Sequence, residues 1–168
     1  MRPRTVLPWL VFLVAFAALL TGRKDHTSSA RSLTARVIRV VDGDTIKVSL
    51  AGGRTERVRY IGVDTPESVK PGTPVQCFAK RASHFNASLV DGRALRLRMD
   101  AEERDRYGRL LAYVYTSGPH EVFVNRELVA KGYARTMTIP PNVAHADEFA
   151  RLAQRAREAG RGLWSACG

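Results

Sequence analysis

With 168 residues the chain has room for one domain. Its 45% hydrophobic and 26% charged residues exclude a disordered chain. Lys and Arg outnumber Asp and Glu by 27 to 16, and the resulting +11 favours polyanionic partners, nucleic acid or anionic membrane. Two cysteines, Cys77 and Cys167, exclude a disulfide-dense miniature scaffold and a four-cysteine zinc site, and the absence of any repeat excludes a solenoid.

The first element is an apolar run at residues 6–20, preceded by Arg2 and Arg4. A basic start followed by a short apolar stretch is the export pattern. Pro8 interrupts the run, which is short of the ~20 residues a spanning helix needs. No clear small-x-small cleavage site follows. Residues 1–22 therefore read as a signal peptide or a signal anchor, and either way the rest of the chain is exported. Loss of Arg2 and Arg4 would lower the charge by two and leave it strongly positive. Residues 23–33 are polar and aperiodic, a linker, and 34–168 form the domain.

Val37, Ile38, Val40 and Val41 predict a first strand, ended by the turn Asp42-Gly43-Asp44. Ile46, Val48 and Leu50 alternate with polar residues, as in a half-buried second strand, and residues 57–63 alternate again as a third. After a Pro- and Gly-containing loop, Phe78, Ala82, Phe85 and Leu89 mark one face of a helix. Residues 95–99 and 110–115 predict two more strands, with a short extra one at 122–124. Asn125 is placed to cap a brief helix ending at Gly132. A last helix at 146–159 presents Phe149, Leu152, Ala153 and Ala156 on one face. The sum is an α+β, mainly β domain: a five-stranded Greek-key barrel of the OB type with three helices. Such barrels bind nucleic acids and sugars.

The chemistry is concentrated in VDGDT (41–45), RYIGVDTPE (59–67) and DRYGRLLAY (105–113). Asp44, Asp64 and Glu67 are carboxylates able to ligate a hard cation such as calcium or to act as a base. Arg59 and Arg109 suit phosphate, because a guanidinium donates paired hydrogen bonds and stays charged. In-line attack of water on a phosphodiester needs this combination.

In these three motifs, in this order and separation, residues 34–164 resemble the staphylococcal nuclease family. The resemblance implies calcium-dependent hydrolysis of DNA and RNA, single strands preferred, leaving 3′-phosphate ends. By motif position it implies that the Asp44 and Asp64 carboxylates and the Thr65 carbonyl bind Ca2+. Glu67 would be the general base, Arg59 and Arg109 would grip the scissile phosphate, and Arg106 and Tyr107 would line the nucleotide pocket. The family's pocket often adds two tyrosines, and counting from Gly132 those positions here hold Thr138 and Pro140.

Plainer readings compete. Asp42 is a turn residue, the run Glu102-Glu103-Asp105 is a solvated loop, and Asp42-Gly43-Asp44 lacks EF-hand spacing. The histidines at 26, 84, 120 and 145 form no metal-ligand pair; Phe78, Phe85 and Phe149 are core. A non-catalytic OB-type nucleic-acid-binding module is the alternative, and such a module needs no base beside a metal. Export into an oxidising compartment leads us to expect a Cys77–Cys167 disulfide. Nothing points to a protein partner. The chain is expected to be a monomer that meets membrane only through residues 6–20 if they are retained.

Overall fold

The computed structural model describes residues 31–68 and 72–167. The export segment and residues 23–30 of the linker lie outside the described residues. Strand β1 (Ser32–Val40) begins inside the segment read as linker, because Ser32 and Leu33 pair with Arg98 and Leu97. It continues through β2 (Thr45–Leu50) and β3 (Thr55–Tyr60) as an antiparallel meander. With β5 (Ala94–Arg98) and β6 (Leu110–Thr116) these strands close a barrel in the order β1-β2-β3-β6-β5. The β3–β6 pair is parallel, and the other neighbours in the barrel are antiparallel. This is the five-stranded OB-type barrel that the alternation predicted.

Alternation dictates its interior: Ile46, Val48, Val58, Leu95, Leu97 and Val114 are fully buried. A register shift between Val37 and Arg39 is a bulge; it turns Ile38, an apolar residue of the predicted strand, out to solvent.

The run at 57–63 is not one strand. Gly62 takes a left-handed φ of 78°, and a Cβ there would overlap the Phe149 ring. The chain therefore leaves the barrel after Tyr60 and restarts as β4 (Gly62–Asp64), which pairs with β7 (Arg135–Met137) in a separate two-stranded sheet. That break carries Asp64 out toward the barrel's surface.

Helix α1 (Ala79–Val90) starts one residue after Phe78, which is its left-handed N-cap and not core. It buries Ala79, Ala82, Asn86 and Val90, with the predicted Phe85 and Leu89 only partly buried against the core. Helix α2 (Val124–Ala130) starts before Asn125, so Asn125 is not its cap. The Asn125 side chain is instead fully buried, accepting from Val114 N–H at 2.9 Å and donating to the carbonyls of Ile61 (2.9 Å) and Ala112 (3.4 Å). The extra strand at 122–124 shrinks to a single bridge between Tyr115 and Phe123. Helix α3 (Ala146–Glu158) packs Phe149 into the core, and a short α4 (Leu163–Ala166) follows, a fourth helix beyond the three predicted. Cys77 and Cys167 are joined in a disulfide. Among the described residues no helix is long and apolar enough to cross a membrane.

Candidate active site

The site begins with the turn between β1 and β2. The Asp44 N–H donates to the Asp42 carboxylate at 3.0 Å, and the Val41 and Asp42 N–H groups donate to the Thr45 carbonyl. Asn86 of α1 anchors the turn from behind, donating to the Asp42 carbonyl at 3.0 Å while accepting from Tyr60 Oη at 2.9 Å. Gly43 is required by close approach: a Cβ there would lie 2.6 Å from Thr65 Oγ1. Its absence lets the turn press against the strand β4 exit, and Asp44 Oδ2 accepts from both the Thr65 N–H (2.7 Å) and the Thr65 hydroxyl (2.8 Å).

Arg59 joins the two segments. Its Nη1 donates to the carbonyls of Tyr60 (2.9 Å) and Val63 (2.7 Å), and its Nη2 donates to Asp64 Oδ1 at 3.2 Å. Nε lies 3.3 Å from Asp44 Oδ1. Asp44 is 5% exposed and the Arg59 side chain 13%. The arginine read as a phosphate grip is therefore first a brace for the two carboxylates, with its remaining Nη2 proton directed to no hydrogen-bond partner among the described residues.

Three carboxyl groups crowd here with one guanidinium in contact. Burial, and then the Asp44 charge, push the Asp42 carboxyl up to about 6. Burial and then Asp44 also raise Asp64, with Glu67 contributing. Glu67 is thus within electrostatic range of Asp64, as a base beside the metal ligands would be. Carboxylates that outnumber the guanidinium between them at a cleft are what a divalent cation relieves. Among the described residues no three Asp, Glu, His or Cys side chains converge as a metal cluster. The Asp44 and Asp64 carboxylates, both beside Arg59, could hold a hard ion that keeps water and substrate oxygens in its remaining positions.

Beside this cluster lies a cleft of about 620 Å³ that Arg59, Arg106, Tyr107 and Arg109 line together. Asp105, read as part of a solvated acidic run, organises this wall. It accepts from the N–H groups of Tyr107 (2.9 Å) and Arg109 (3.0 Å) and from Arg109 Nε at 2.6 Å. Asp at the start of a turn closed by Gly108, whose φ is 76°, was the signal available. Arg106 and Arg109 stand 4.8 and 5.5 Å from the Tyr107 ring, which is 68% exposed. Thr138 and Pro140 do not line the cleft; Met137 and Ile139 do, as exposed aliphatic surfaces.

Sequence reasoning also missed Gln76. Its Oε1 accepts from the Glu67 N–H at 2.8 Å, and its own N–H donates to the Glu67 carbonyl at 2.9 Å. This reciprocal pair fixes the Glu67 backbone from across the loop, and no local pattern announces it.

The staphylococcal nuclease homologue family matches residues 57–166. The thermonuclease of Staphylococcus hyicus is 42% identical over 138 residues, 82% of this chain and 79% of the relative. The thermonuclease of Staphylococcus intermedius is 43% identical over 135 residues, 80% and 76% of the two chains. The endonuclease YncB of Bacillus subtilis (strain 168) is 42% identical over 132 residues, 77% of this chain and 61% of the relative.

Proposed function

The chain belongs to the staphylococcal nuclease family, and from that premise we propose that it is an exported, monomeric nuclease that uses calcium to hydrolyse DNA and RNA. Single strands are preferred, and the products carry 3′-phosphates. The observation that carries the reading is the Asp44–Arg59–Asp64 cluster set against a cleft that Arg109 also lines. A module that merely binds nucleic acid has no need to set a buried carboxylate and a second one around an arginine at the cleft's edge.

In this reading Asp44, Asp64 and the Thr65 carbonyl hold Ca2+, which when bound supplies positive charge at a phosphate oxygen. Glu67 accepts the proton of the attacking water, and Gln76 keeps its backbone in place. The water oxygen bonds to phosphorus as the P–O5′ bond breaks, negative charge accumulates on the phosphorus oxygens, and the departing 5′-oxygen takes up a proton from solvent. Arg109, pre-oriented by Asp105, and Arg59 offer N–H groups to that charge, the arrangement that stabilises a transition state more than a ground state. Arg106 and Tyr107 receive the nucleotide, with Met137 and Ile139 supplying apolar surface along the same cleft.

The experiment is digestion of single-stranded DNA and RNA with calcium and then with excess EGTA. Digestion abolished by EGTA is the expected result. Undiminished digestion overturns the calcium assignment, and no digestion with any divalent metal leaves the non-catalytic binding module.

A further inference from the structure

The outward face of the barrel carries a line of cations that the chemistry above does not use. In the strand register Arg39 of β1 lies directly opposite Lys47 of β2, and Lys47 directly opposite Arg57 of β3. Residues opposed in this way point to the same side of a sheet with Cβ atoms about 5 Å apart, and like charges so placed destabilise the pairing. Arg39 and Arg57 are exposed and Lys47 is half-buried. Among the described residues none of the three forms an ion pair, whereas Arg31, Arg54, Arg96, Arg104 and Arg126 each reach a carboxylate. Among the described residues the row therefore carries three adjacent like charges with no ion-pair countercharge between them.

Its position supplies the partner. Arg57 and Arg59 stand two residues apart on β3, hence on the same face and about 7 Å apart along the strand. Thr45, next to Asp44, is opposite Arg59 just as Lys47 is opposite Arg57. The row is thus one pleat repeat from the catalytic cluster and runs away from it across three strands.

We propose that Arg39, Lys47 and Arg57 form a phosphate track for the substrate strand flanking the scissile bond. The track reads backbone charge and no base, and it serves single-stranded DNA and RNA alike. The proposal rests on the nuclease reading of the cleft.

The test compares the full chain with an Arg39→Gln/Lys47→Gln/Arg57→Gln variant on a long oligothymidylate and on dithymidylate. Dithymidylate has a single phosphodiester, so no second phosphate can reach the row. The expected result is a KM about tenfold higher on the long strand at low salt, with unchanged kcat and unchanged kinetics on dithymidylate. In a Glu67→Gln background, where turnover plays no part, the slope of log K against log salt for the long strand should fall by about 2. An unchanged slope overturns the track, as does an equal loss on both substrates. So does a loss of binding confined to phosphatidylserine vesicles, which would make the row a membrane contact. Wild-type cleavage of dithymidylate tests the nuclease reading separately. Should the triple variant not fold, each single variant is expected to lower the slope by about 0.7.

Discussion

At the scale of single residues the cluster is held by a division of labour between two arginines. Arg59 donates to two backbone carbonyls and one carboxylate and stands against a second, so it is fixed before substrate arrives. Among the described residues Arg109 has one ion-pair partner, Asp105, bound through Nε, which leaves its terminal nitrogens to the cleft it lines. Arg59→Ala and Arg109→Ala should each lower turnover by about two orders of magnitude or more, as loss of preorganised charge stabilisation does. Their stabilities should part, because only Arg59→Ala strips a countercharge from the buried Asp44. Glu67→Gln should lower kcat comparably while leaving nucleic-acid binding near normal, since a base acts on the rate. Steady-state kinetics with thermal unfolding on the same samples checks all three. A Glu67→Gln protein of normal turnover would refute its role as base.

At the scale of elements, Asn125 shows how a polar residue can be read correctly as important and wrongly as local. It ties α2 to the carbonyl of Ile61, where the chain leaves β3, and to the N–H of Val114 in β6. Asn125→Ala would strand both backbone groups in the core, at about 1–3 kcal/mol for each unsatisfied partner. Denaturant unfolding should therefore show a loss of about 2–6 kcal/mol. A loss below about 0.5 kcal/mol would mean that the cross-link is dispensable. In the sequence, a polar residue before an apolar run looks like a cap, and only the tertiary fold reveals that it points inward. The same limit explains the other differences. Period-2 alternation made the five barrel strands legible, and the helical stripe announced α1. Nothing in residues 57–63 marks Gly62 as the point of departure, because alternation runs straight through it. What requires a glycine there is the Phe149 ring, nearly ninety residues away. The carboxylates and arginines of the site were legible because they fall in three short motifs. Gln76 and Asp105 were not, because their roles lie in what they hold rather than in their own chemistry.

At the scale of the whole molecule, the C-terminal segment is secured to the rest by backbone contact and by a covalent bond. The Leu163 N–H donates to the Gly132 carbonyl at 2.8 Å, docking α4 against the end of α2, and Cys167 closes a disulfide to Cys77 at a sequence separation of 90. The first anchor is a native contact that survives reduction. The second acts mainly on the unfolded chain, whose freedom a closed loop of this length restricts by about 4–5 kcal/mol in the chain-entropy view. Strain and residual structure in the unfolded state lower that figure, so reduction should cost about 2–4 kcal/mol and drop the Tm by about 5–15 °C. Asp44, Arg59, Asp64 and Glu67 all lie outside the loop that the disulfide closes, and Arg109, inside it, immediately precedes barrel strand β6. Turnover well below the Tm should therefore stay close to that of the oxidised protein. Calorimetry and a nuclease assay, each with and without reductant, measure the two effects on one preparation. Thiol titration of the unreduced, denatured protein is the control: two reactive thiols would show that the bridge is absent in solution. An unchanged Tm on reduction would place the stability of the C-terminal segment entirely in the Gly132–Leu163 contact.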